Sequence, residues 1–94
     1  MKKVFFLTNK AGDSVFGALT EKHGQLPAFF TDSDAASRFF AEKIPSDQQD
    51  QHVFGGTESA DDIRHFLNFN EKSYVLLDQV PMTGVEMFKK LSDN

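Results

Sequence analysis

HVFGGTESADDI, residues 52–63, runs from an extended apolar stretch through a glycine pair into an acid-rich helix start. If the pair is a joint, this is a strand-to-helix step, the unit that brings strands side by side in a mixed or parallel sheet. If it is a ligand loop, it resembles a phosphate cradle, in which unpaired backbone N–H groups and the helix dipole meet an anion. The charges decide between them. Glu58, Asp61 and Asp62 already place negative charge at the helix start, which stabilises the helix and discourages a phosphate. Neither GxGxxG nor GxxxxGK(S/T) occurs in the chain. Gly55-Gly56 therefore reads first as a tight strand-to-helix turn. Its second reading is close backbone approach by an uncharged or cationic ligand.

The same step recurs. LPAFF, residues 26–30, leads into TDSDAASRFFAEKI, where Thr31 can cap a helix and Asp34 can reach back to it. Ala35, Ala36, Phe39, Phe40 and Ile44 then form a stripe at three- and four-residue spacing, and Pro45 stops the helix. Thr31, Ser33, Arg38 and Phe40 recur 26 positions later as Thr57, Ser59, Arg64 and Phe66. This is either a weak internal duplication or two independent solutions to one capping problem. The second helix, residues 60–68, turns Ala60, Ile63, Phe66 and Leu67 inward, with Ser59 as cap and Asp62 at the reciprocal position. A third step begins at SYVLL, residues 73–77. After DQVPMTG, a helix over residues 82–91 carries Val85, Phe88 and Leu91 on one stripe, with Met82 nearby and Pro81 or Thr83 at its start. Residues 46–51, SDQQDQ, contain no apolar side chain and read as a solvated loop.

Upstream, KKVFFLT at residues 2–8 is an apolar strand that shows side chains to both faces of a sheet. Residues 9–14 supply a turn, and residues 15–20 a returning strand weakened by Gly17. Pro27 in the next strand lacks a ladder donor, which suits an edge, the first position of a strand or a bulge. The expectation is one α+β domain over residues 1–94: a mixed β-sheet of four or five strands with an N-terminal hairpin and three short packing helices.

Composition narrows the function. Ten basic against fourteen acidic side chains give a net charge of -4, and the basic ones are dispersed, so phosphate backbones and anionic membranes are repelled. With no cysteine, thiolate chemistry, disulfides and cysteine metal sites are excluded. The first apolar run, residues 4–7, is too short for a signal peptide or a spanning helix, so the expected location is the cytoplasm.

His23, His52 and His65 stand at no helical metal-ligand spacing, and no serine sits in a GxSxG turn. No catalytic, metal or cofactor residue is assigned, and enzymatic activity stays open. Asp78 ends the third extended run, where α/β sheets often present functional groups, although a turn acceptor is the simpler reading. A carboxylate pair of Asp32 and Asp78 across strand ends is a further possibility. Two functions are carried forward. One is a small non-enzymatic interaction or regulatory domain acting through an apolar, Phe-rich surface built from eleven phenylalanines, with a protein partner or a second copy of itself. The other is a small-molecule-binding protein or small enzyme with a pocket at strand carboxyl ends near Thr31, Gly55, Gly56 and Asp78.

Overall fold

The computed structural model describes residues 1–66 and 70–92. Six strands and three α-helices follow in the order β1 (Val4–Asn9), β2 (Gly17–Thr20), β3 (Gly24–Phe29), α1 (Ser33–Lys43), β4 (His52–Thr57), α2 (Ala60–Phe66), β5 (Tyr74–Leu77), β6 (Val80–Thr83) and α3 (Gly84–Ser92). Strands β2-β3-β5-β6 form a mixed ladder, parallel only between β3 and β5, and β1 and β4 form an antiparallel pair. The α+β class is as the sequence indicates, with six strands in place of four or five. The polar run Ser46–Gln51 winds into an exposed 3-10 helix.

Pairing at the amino end differs in one respect. The turn after β1 does bring the chain back, with Phe16 N–H donating to Leu7 C=O at 2.7 Å, but that ladder ends there. From Gly17 the chain pairs with β3, and β1 takes β4 along its whole length. Gly17 allows the change of partner: a Cβ there would run into the Leu26 carbonyl, its carbon 2.9 Å away. Pro27 pairs with Gly17, one residue before the β3–β5 ladder begins at Ala28, so its missing N–H interrupts no ladder bond.

Alternation along β1 sorts the core in two. Val4 and Phe6 join Phe29, Val75, Leu77, Met82 and residues of α2 and α3. On the opposite face Leu7, with half-buried Phe5, joins Ala28, Phe30 and the α1 residues Ala36, Phe40 and Ile44. Both faces of the sheet thus carry helices. The α1 stripe matches its sequence reading, with Ala35 and Phe39 at its margin. In α3 the buried face is Gly84, Met87, Phe88 and Leu91, while Val85 is 52% exposed. The helix starts at Gly84 instead of 82, and Val85 lies about 100° round the helix from Gly84, off the buried face of Gly84, Met87, Phe88 and Leu91.

Each helix has its own cap. Asp32, not Thr31, accepts the Ala35 N–H at 2.9 Å and caps α1. Ser59 caps α2 by accepting the Asp62 N–H at 3.3 Å, and the Asp62 carboxylate accepts the Thr57 hydroxyl at 2.8 Å. Thr83 and Glu86 form a reciprocal pair at the start of α3, with bonds of 3.1 and 3.2 Å. The caps of α1 and α2 are not 26 positions apart, so the repeat in sequence is not a repeat in capping geometry. Leu67 and Asn68, expected in the second helix, lie outside the described residues.

The sterics of three glycines predict an order of stability. Gly17→Ala should destabilise by about 1–3 kcal/mol, as overpacking does. Gly56→Ala meets only the Phe5 ring and the Lys3 side chain at 3.0–3.2 Å and should cost less, while Gly55→Ala, 3.5 Å from Phe6, should be near neutral. Urea unfolding of the three variants checks the ranking.

Candidate functional site

Of the four residues singled out by sequence, two meet and two stand apart. Asp78 and Gln79, with φ of 50° and 66°, form the two-residue turn between β5 and β6. Two successive positive φ values are the signature of a type I′ turn, which follows the right-handed strand twist. The turn returns Val80–Thr83 as a strand, where the sequence predicts the approach to the last helix and its first residues, Met82 and Thr83. Asp78 Oδ1 accepts the Thr31 backbone N–H at 2.9 Å, and Oδ2 accepts the Thr31 hydroxyl at 2.7 Å. Each carboxylate oxygen has a donor, and the pair ties the exit of β3 to the β5–β6 turn. Asp32, the proposed second carboxylate, is committed to its cap.

Gly55 and Gly56 are not in a turn. They lie inside β4, paired with Phe6 and Phe5, and β1 separates them from the Phe30–Thr31 segment. Two strand spacings amount to roughly 10 Å. The four residues do not converge on one pocket.

The histidines are also dispersed. His23 stacks on Tyr74 at 4.1 Å, His52 sets its edge against Phe16 at 5.6 Å, and His65 is exposed on α2. Among the described residues no three His, Cys, Asp or Glu side chains are grouped to hold a metal, and no helix is long and apolar enough to cross a membrane.

The feature with binding geometry is the outer side of β4. Phe5 N–H donates to Phe30 C=O at 2.7 Å and Phe30 N–H to Phe5 C=O at 2.9 Å, so both polar groups of Phe5 point away from β4. Asn9 N–H and Leu7 C=O are likewise spent on Ser14 and Phe16. In an antiparallel pair, bonded and non-bonded positions alternate. Val53, Gly55 and Thr57 therefore face β1, and His52, Phe54 and Gly56 direct their backbone groups outward. The His52 N–H returns to Gln49 C=O. Among the described residues, what remains along the edge is two donors, from Phe54 and Gly56, and three acceptors, from His52, Phe54 and Gly56.

Beside this edge, between β4 and α1, lies a cleft of about 270 Å³ lined chiefly by Leu7, Phe40, Ala41, Ile44, His52 and Phe54. Phe54, 42% exposed, forms its lip, stacked 6.1 Å from Phe5 and edge-on 6.3 Å from Phe40. The other edges are less open to pairing. β6 contains Pro81, and β2 has only four residues, whereas the six residues of β4 include neither a proline nor a lysine, aspartate, glutamate or arginine. Two larger depressions, of about 460 and 450 Å³, border β2 and are not flanked by a long free edge.

No family model, curated protein or solved structure matches the chain.

The Asp78 latch and its turn make opposite predictions for neighbouring residues. Asp78→Ala removes two exposed hydrogen bonds and should cost about 1–2 kcal/mol. Gln79→Gly relieves a non-glycine residue at positive φ and should stabilise by roughly 0.5–1 kcal/mol. Chemical denaturation of both variants against the parent chain reads the signs directly.

Proposed function

We propose that the chain is a non-enzymatic protein-interaction domain that receives an extended segment of a partner protein along β4, with one apolar side chain of that segment in the cleft against α1. The observation that carries this reading is the unspent row of backbone groups on β4 next to an apolar depression. A strand added to a sheet edge draws affinity from main-chain hydrogen bonds and specificity from pockets for alternate side chains. Each bond contributes about 0.5–1.5 kcal/mol net, and burying one large apolar side chain about 1.5–3 kcal/mol.

Gly56 has a place in this reading through its backbone N–H and C=O, which face the open edge because its partner Phe5 bonds Phe30 on the other side. The apolar surface involved is smaller than a bare Phe-rich face. Phe54 is its exposed aromatic, and Phe40 and Ile44 form its floor.

A second copy of the chain is the other occupant to consider, because an edge with no blocking residue invites pairing with its own kind. Antiparallel β4–β4 pairing would close about a two-fold axis. It would also set the Asp50 end of one strand against the Glu58 end of the other, which disfavours it at low salt.

Selection of random peptides from a displayed library tests the proposal, with Ala41→Trp as a cleft-filling variant at an exposed helix position. Enriched peptides should share one apolar position and lose about tenfold or more in affinity for that variant, the amount expected when a buried apolar contact is lost. Sedimentation at low and at about 0.5 M salt separates the two occupants. A chain that enriches no peptide and remains monomeric at both salts would overturn the reading.

A further inference from the structure

Resting on the strand-addition reading, we infer that the segment received by β4 carries lysine or arginine on both sides of its apolar centre. The charge pattern around the edge is one-sided. Residues 44–63 hold Asp47, Asp50, Glu58, Asp61 and Asp62 and no lysine or arginine. Asp47 and Asp50 lie on the exposed 3-10 helix that runs directly into β4. Glu58 follows its last residue, and the Asp62 carboxylate is anchored there by its bond to Thr57. Asp61 is set aside, since Arg64 lies 3.3 Å from it.

Lys2 and Lys3 precede β1 and Lys10 follows it, on the side of β4 away from the docked segment. Lys3 reaches the Gly56 end, with its ammonium 5.6 Å from the centre of the Phe5 ring. Lys10 follows Asn9, which pairs with His52.

A segment lying along the edge extends past β4 at both ends, since the outward groups span the strand from His52 to Gly56. Its flanking residues then fall beside Asp47 and Asp50 at one end and Glu58 and Asp62 at the other. Charges this close to a docked chain act within the screening length of about 8–10 Å at physiological salt. They raise the encounter rate for a basic-flanked segment and set its limits along the edge. The same acids oppose a second copy of this chain, whose β4 is flanked by acids itself.

Three synthetic peptides with one Val-Leu-Val centre and paired flanking residues of lysine, glutamine or glutamate form the test. Both ends are capped, and binding to the full chain is measured by titration at low and at about 0.5 M salt. At low salt the lysine-flanked peptide should bind about tenfold or more tighter than the glutamine-flanked one, and the glutamate-flanked one weakest. The differences should shrink at high salt, and the combined Asp50→Asn and Glu58→Gln variant should lose much of the lysine preference. Amide shifts on binding should centre on Phe54 and Gly56. Equal affinity of all three peptides at that edge would overturn the charge inference and leave strand addition standing. Binding of none of them, or shifts centred elsewhere, would overturn both.

Discussion

The reciprocal hydrogen bonds between Phe5 and Phe30 fix more of this structure than any other contact. They join the β1–β4 pair to the end of β3, so that two ladders share one surface and α1 can lie across the junction. They also set parity. Because Phe5 spends both backbone groups on Phe30, its partner Gly56 must face its own groups the other way, and so must every second residue of β4. The open edge is a consequence of the seam on the opposite side of β1.

The seam holds because both faces over it are covered. Phe5 and Phe6 point to opposite cores, as do Phe29 and Phe30, and each ring has an aromatic neighbour. Phe6 meets Phe29 edge-on at 5.8 Å on the α2–α3 side, and Phe30 meets Phe40 edge-on at 5.6 Å on the α1 side. Paired phenylalanines in sequence thus build two small cores in place of one face left bare. A chain of this length has few apolar residues for each layer, and rings supply the most buried area per residue.

Period and capping made much of the fold legible. The apolar runs at 4–7 and 74–77, the α1 stripe and the Ser59 cap all depend on local spacing, and the structure contains them. The differences arise where a choice one residue long depends on distant contacts. Thr31 and Asp32 are both good caps, and Asp78, 47 positions away, claims Thr31. Val85 and Met87 both suit an apolar stripe with Phe88 and Leu91, and the packing of α3 against the core decides between them by burying Met87. That turn lacks glycine, the usual sign of a type I′ hairpin, which hid β6. Pairing of β1 with β4 was not visible at all, because strand order carries no local signal. The edge followed suit: HVFGGT has the composition of an unprotected edge strand, but its significance appears only once its pairing with β1 is known.

Residue-resolved amide hydrogen exchange along β4, in dilute monomeric protein, tests the parity on which the edge depends. Val53, Gly55 and Thr57 should be protected by their bonds to β1, while Phe54 and Gly56 between them exchange rapidly. Uniform protection from Val53 to Thr57, or the reverse alternation, would contradict the account.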